Sequence, residues 1–278
     1  MEQLNSSVVT SNISSSPGHP PPASWDSSGL VPAVVLSVCF LLGVPGNIAV
    51  IILRPNWENM SSLSQILMLN LAISDLLCLV ILPLWIYTLL FSRKIGLVAC
   101  KLLMYLIYCS IYGSMLTVTV LSVQRYLQVV RLQKFFDQQE MGRLVVLLWL
   151  VAMSLSIPTL VVRQLKTDQH WTSCQPHYSS EAQQAAKLLT ETVVGSVSVS
   201  VVAFSYISLY RTVDQAAFFN NPQTTRLVTS IIVTFFVLWM PYYIINVLGV
   251  AGVLLKNEGM LKFFVDSRGI AAALTFAA

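Results

Sequence analysis

Ionisable and redox-active residues embedded in apolar runs are where this chain could do chemistry. Asp75 lies in Leu69-Asn70-Leu71-Ala72-Ile73-Ser74-Asp75-Leu76-Leu77. A carboxylate there costs about 2.5 to 3.5 kcal/mol if the run crosses a membrane. It must face polar partners, which suits a cation or proton site, while the plainer role is a neutral acid that pins two helices. Asn47, in Gly46-Asn47-Ile48, is a reasonable partner. Cys100 opens one apolar run and Cys174 lies in the longest connector. On an oxidising face their simplest arrangement is a bridge that staples the connector over the helix ends. The competing arrangement is a metal site at His170, Cys174 and His177, although three soft ligands in one loop are an incomplete set. Cys39, Cys78 and Cys109 fall within apolar runs and read as reduced packing residues.

Two further motifs concern motion rather than chemistry. Ser122-Val123-Gln124-Arg125-Tyr126 ends an apolar run with a cation whose ordinary role is to snorkel at a membrane border. Trp239-Met240-Pro241 sets a bulky ring at a proline bend, a candidate bistable element, the alternative being plain packing beside a tolerated proline. Enzyme signatures are absent: there is no nucleotide loop, no Gly-x-Ser-x-Gly elbow and no His-Glu-x-x-His helix. The three histidines leave little for acid-base work.

The elements that must position these residues follow from composition. Of 278 residues 55% are hydrophobic and 10% charged, against about 25% charged in a soluble domain. Apolar blocks run from Leu30 to Leu53, Ser61 to Phe91, Leu97 to Val130, Leu144 to Val162, Ala182 to Tyr210, Thr225 to Leu255, and Phe263 onward. Most approach the roughly 20 residues a helix needs to cross hydrocarbon, where the backbone must satisfy its own hydrogen bonds. An all-α membrane bundle of seven helices is expected, with bends near Pro45, Pro83, Pro158 and Pro241. Only residues 269–278 follow Arg268, a rise of about 15 Å, so the seventh span is expected to be truncated and the chain to be a fragment. The net charge of +4 has no long basic run behind it, and nucleic acid is not an expected partner.

Residues 1–29 are rich in Ser, Pro and Asn and read as a disordered tail, with 30–278 as the membrane domain. Glycosylation sequons at Asn5 and Asn12 place that tail outside the cell. The positive-inside rule disagrees, since seven basic residues then lie inside and nine outside. The outer surplus can instead draw an anionic ligand toward the helix mouth.

Taken together, these fragments resemble the rhodopsin-like (class A) G-protein-coupled receptors. Gly46-Asn47, the Leu-Ala-x-x-Asp75 run, Cys100, Arg125-Tyr126, Trp149 and Trp239-x-Pro241 occur in that family's order, and the spacing from Cys100 to Arg125 matches. The resemblance covers Leu30 to the chain end. Within the family the chain looks most like the chemoattractant group, and there the leukotriene B4 receptors. That closer likeness rests on Leu42-Gly43-Val44-Pro45-Gly46-Asn47, on Cys100-Lys101 with Tyr105 and Tyr112, and on Trp239-Met240-Pro241-Tyr242-Tyr243 with Asn246.

The resemblance implies a multi-pass plasma-membrane receptor for leukotriene B4 or a related hydroxylated fatty acid, coupled to a heterotrimeric G protein of inhibitory type. Arg163 and Arg268 are the candidates for the ligand carboxylate, because a guanidinium can bind both oxygens. Tyr105, Tyr108, Tyr112, Tyr243, Asn246 and Glu191 are candidates for its hydroxyls. Gln124, Arg125, Tyr126, Tyr206, Trp239 and Pro241 are the implied coupling and switch residues. Asn47, Asp75 and Ser114 would hold an internal sodium ion, and no other cofactor is implied. Three departures stand out. Gln124 replaces the family's aspartate before Arg125, which predicts raised basal activity; Ser198 replaces a proline in the fifth span; and Leu238 replaces a cysteine before Trp239. An organic-anion transporter or channel would show repeated halves, and none is visible. A non-signalling scavenger is the other alternative, supported by Gln124 and the short seventh span.

Overall fold

The computed structural model describes residues 27–53, 61–91, 96–131, 138–167, 172–215 and 222–275. Seven helices follow in order: α1 Ser27–Ile52, α2 Ser62–Phe91, α3 Leu97–Arg131, α4 Gln138–Val162, α5 Glu181–Gln215, α6 Pro222–Leu254 and α7 Glu258–Thr275. The first six contain stretches long and apolar enough to cross a membrane. The seventh is the shortest, at 18 residues. Pro83, Pro158 and Pro241 all lie inside helices.

The packing inverts the soluble pattern. Along α4 the side chains of Val146, Leu150, Ile157 and Val161 face outward, at a spacing that keeps one helical face exposed. The opposite face buries Leu148, Ala152, Ser156 and Thr159. An apolar exterior of this size has lipid as its natural solvent. The buried hydroxyls satisfy themselves locally: Ser110, Ser122 and Ser156 each donate to the carbonyl four residues back, at 2.9, 2.8 and 2.7 Å. Small inward residues also let backbones approach closely. A Cβ on Gly113 of α3 would come within 3.2 Å of Ser74 Oγ on α2.

Helix α3 is the axis, packing against α2, α4, α5 and α6. Its main core joins Leu67, Met115, Leu121, Val202, Phe235 and Trp239 among others. A polar thread crosses this core, because Asn70 Nδ2 donates to Thr117 Oγ1 at 2.7 Å and Trp149 Nε1 donates to Asn70 Oδ1 at 2.9 Å. Here the tryptophan of the fourth span has a specific task, tying α4 to α2.

The connector after α4 contains a feature the sequence did not announce. Strands β1 Arg163–Thr167 and β2 Thr172–Pro176 form an antiparallel hairpin, with Leu165 opposite Cys174. Cys174 is disulfide-bonded to Cys100, Cα to Cα 5.8 Å, so the hairpin is tied to the first turn of α3. The metal alternative loses its sulfur ligand. Among the described residues there is no metal-binding cluster, and His170 lies outside them. Cys39, Cys78 and Cys109 are buried and form no disulfide. Helix α5 runs unbroken through Ser198, where the family has a proline.

Candidate receptor cavity and switch

Beneath the hairpin lies a cavity of about 620 Å³ that reaches down to Trp239, within the roughly 300 to 1,000 Å³ usual for small-molecule sites. Apolar side chains such as Leu82, Met104, Ile107 and Phe264 form much of its wall. Its polar groups come from several elements at once. Tyr108 and Tyr112 project from α3, Arg163 from the start of β1, Lys187 and Glu191 from α5, Tyr242, Tyr243 and Asn246 from α6, and Arg268 from α7.

Glu191 is the organising group. Arg268 Nη2 donates to its Oε2 at 2.7 Å and the Tyr242 hydroxyl donates to the same oxygen at 3.2 Å. Lys187 Nζ lies 3.2 Å from Oε1, one helical turn away. The lysine also reaches Thr159 Oγ1 at 3.3 Å and sits 4.6 Å above the centre of the Tyr108 ring. Charges this deep require partners, and the cluster supplies them from α3, α4, α5, α6 and α7. Tyr243 is held apart from it, its hydroxyl 2.6 Å from Ser196 Oγ.

Three buried polar atoms of cavity-lining residues lack hydrogen-bond partners among the described residues: Arg163 Nε, Asn246 Oδ1 and Glu191 Oε1, the last of which has only its ionic contact to Lys187. Arg163 Nη1 donates to the Cys174 carbonyl at 3.3 Å, which positions the guanidinium at the disulfide. One donor and two acceptors are thus left for a polar ligand to engage.

Of the eight expected ligand residues, Tyr108, Tyr112, Arg163, Glu191, Tyr243, Asn246 and Arg268 line the cavity, whereas Tyr105 does not. Three residues before Tyr108, Tyr105 is turned about 60° around the helix, and its hydroxyl reaches the Met153 carbonyl on α4 at 3.4 Å. Lys187 and Tyr242 are cavity residues that the sequence reading did not select. In the sequence Lys187 belongs to the surplus of basic residues on the outer side, and its place four residues before Glu191 is the available signal.

A second cavity, of about 320 Å³, lies deeper among α1, α2, α3, α6 and α7 and shares Ile111, Trp239 and Thr275 with the first. Asp75, Ser114 and Asn47 line it. Ser114 Oγ donates to Asp75 Oδ1 at 2.5 Å. Asn47 does not partner the carboxylate as expected; its amide donates to the Gly43 carbonyl of its own helix at 3.1 Å. Trp239 stands between the cavities, 5.2 Å from the Phe235 ring centre and edge-on to Tyr242 at 6.2 Å. At the far end of α3, Gln124 bonds to α2. It donates to Ser61 Oγ at 2.8 Å and accepts from Ser64 Oγ at 3.1 Å. Arg125 Nε and Nη2 are buried without a hydrogen bond among the described residues. Tyr126 packs edge-on against Phe204 of α5, and Tyr206 packs against the main core. Asn5 and Asn12, with most of the expected tail, lie outside the described residues.

A helical membrane bundle with a disulfide-tied hairpin over a charged cavity defines a class of protein, and sequence comparison identifies it. The family model of the rhodopsin family of seven-transmembrane receptors matches residues 46–267. The chain belongs to that family, one of signalling receptors rather than enzymes, and is a multi-pass plasma-membrane protein.

Its relatives are chemoattractant receptors. The chain is similar to leukotriene B4 receptor 1 of Homo sapiens, 32% identical over 236 residues that cover 82% of this chain and 66% of that one. It is also similar to leukotriene B4 receptor 2 of Rattus norvegicus, 31% identical over 88% of this chain and 70% of that one. The C3a anaphylatoxin chemotactic receptor of Danio rerio is 27% identical over 88% of this chain and 68% of that one. The chain spans about two thirds of the length of these relatives.

Proposed function

We propose that this protein is a cell-surface receptor for an anionic lipid mediator, a hydroxylated fatty acid of the leukotriene B4 type, and that it signals through a heterotrimeric G protein of inhibitory type. Its N-terminal tail and hairpin face outward. The ligand enters under the hairpin, its chain lies along the apolar wall, and its carboxylate meets Arg163. Asn246 and the Glu191 cluster receive its hydroxyls. Displacement of Trp239 then carries the signal through α6 to the end where Arg125 lies, with Asp75 and Ser114 holding a sodium ion in the resting receptor.

The observation that carries this reading is Arg163, a guanidinium with a buried, unbonded Nε at an apolar cavity large enough for a lipid chain. The relatives named for leukotriene B4 support the same class. The test uses full-length receptor in cells, a panel of oxidised fatty acids and their methyl esters, and G-protein activation as readout. Arg163→Ala should weaken the acid by about 1.5 to 3 kcal/mol, the worth of a hydrogen bond to a charged group, and leave the ester nearly unchanged. Equal losses for acid and ester would remove the carboxylate role.

A further inference from the structure

Lys187 is 5% exposed, an unusual degree of burial for a lysine, and it is held at the cavity wall by Glu191, Thr159 and the Tyr108 ring. Among the charged residues that line this cavity there are three cations, Arg163, Lys187 and Arg268, and one acid. The acid is unevenly shared. Its Oε2 receives the Arg268 hydrogen bond at 2.7 Å, whereas Oε1 makes the longer ionic contact to Lys187 Nζ at 3.2 Å. An ammonium has three N–H donors, and the one hydrogen bond shown for Lys187 goes to Thr159 at 3.3 Å. Glu191 is therefore shared between Arg268 and Lys187, so that one acid faces three cations, and Arg163 and Lys187 retain donors beyond the bonds they make.

The fold brings those two together. Thr159 is in the last turn of α4, which ends at Val162, and Arg163 begins the hairpin immediately after. By bonding to Thr159, the Lys187 ammonium is drawn to the same corner of the cavity. Resting on the proposed function above, we infer that Lys187 is a ligand-binding residue, and that Arg163 and Lys187 together form the carboxylate subsite. Arg268 and Tyr242, gathered on the other oxygen of Glu191, form the pole for hydroxyl groups. The guanidinium offers a planar fork and the ammonium a compact point charge, so one carboxylate can engage both without rivalry for the same geometry. The ligand's anion also offsets a buried cation that the protein leaves half-matched.

Competition binding on membranes containing the full-length receptor tests this, with leukotriene B4 and other C20 hydroxy acids as probes, each beside its methyl ester. Lys187→Gln should cost the acid about ten- to a hundredfold and the ester less than about threefold. Lys187→Arg should keep the preference for acid. Arg268→Gln should weaken acid and ester alike. Thr159→Val keeps the charge but releases the ammonium from α4, and should cost the acid about threefold or more, which covers the case in which Lys187→Gln fails to reach the membrane. An unchanged acid preference in Lys187→Gln or Thr159→Val overturns the inference, as does an equal loss for acid and ester, which would mark a structural role. If wild-type receptor itself shows no acid preference, the proposed function falls and the subsite with it. If wild type discriminates and Lys187→Gln discriminates equally, only the subsite falls.

Discussion

Glu191 stands where α5, α6 and α7 meet, taking hydrogen bonds from Tyr242 and Arg268 and an ionic contact from Lys187. Removing its charge while keeping its shape isolates what the cluster contributes. Glu191→Gln leaves two buried cations without a counter-charge, and the ligand-free receptor should lose about 3 to 5 kcal/mol. A carboxylate ligand should restore more of that loss than it adds to wild type, because it supplies the missing charge. Thermal unfolding of purified receptor with and without ligand reads both effects, and an unchanged apo melting temperature would show that the cluster is not a stability element. At this scale the sequence was informative about chemistry and weak about direction. Arg163, Glu191 and Arg268 announce themselves through the family resemblance, and the surplus of basic residues on the outer side suits the anionic ligand it implies. Lys187 does not announce itself, since a lysine near a span's end normally snorkels to the border. Tyr105 misled for a related reason: residue type does not reveal helical phase, and 60° decides between cavity and α4.

The joint between α6 and α7 fixes where Arg268 comes to rest. Helix α6 ends with Lys256 in the left-handed region at φ 50°, its N–H donating to the Val253 carbonyl at 3.4 Å, while Asn257 N–H donates to the Gly252 carbonyl at 3.0 Å. This is the Schellman arrangement, usually completed by glycine. Asn257 then caps the next helix, its Oδ1 accepting from Met260 N–H at 3.1 Å. Two substitutions at this joint should therefore act in opposite directions. Asn257→Ala should destabilise by about 1 kcal/mol, and Lys256→Gly should stabilise by roughly 1 kcal/mol by removing the left-handed strain. Melting temperatures that move in the same direction would contradict this account of the joint. The apolar block in the sequence begins only at Phe263, yet α7 begins at Glu258, because the capping turn is polar and hydropathy cannot see it. The start of α4 at Gln138 rather than Leu144 has the same origin, since Glu140 and Arg143 are exposed. The hairpin was invisible for another reason. Its five-residue strands carry Arg, Gln, Lys and Thr without a buried face, and the disulfide to α3, more than strand propensity, holds it.

Across the whole molecule, the proposed function requires two sites at opposite ends of α3 to be coupled through the core that contains Trp239. The sequence conveyed this plan, because the seven blocks and the ordered motifs depend on lipid as solvent and on spacing. It did not convey what replaces the ion pair at the foot of α3. In the structure Gln124 turns away from its neighbour and joins Ser61 and Ser64, so α3 is held to α2 by neutral hydrogen bonds. Ser61 and Ser64 are themselves 2.9 Å apart, oxygen to oxygen, which closes a three-membered polar knot at the start of α2. The Arg125 guanidinium keeps two buried nitrogens without a hydrogen bond among the described residues. A guanidinium with no acid beside it should cost little to withdraw when α6 moves, and the expected consequence is an inactive population less favoured than in a receptor with an acid there. Gln124→Asp puts a carboxylate beside that guanidinium, an attraction of roughly 1 kcal/mol at a partly hydrated site. That should shift the resting equilibrium about fivefold toward the inactive form. The shorter aspartate loses reach to Ser61 and Ser64, so Gln124→Asn, of the same length without the charge, is the control. The measurement is ligand-free nucleotide exchange by G protein on membranes containing full-length receptor, compared at equal receptor density. Basal exchange should fall about fivefold while the maximal response to ligand is retained. A basal rate that stays level or rises would mean that Arg125 is restrained by something other than charge, and that Gln124 tunes the receptor only through its bonds to α2.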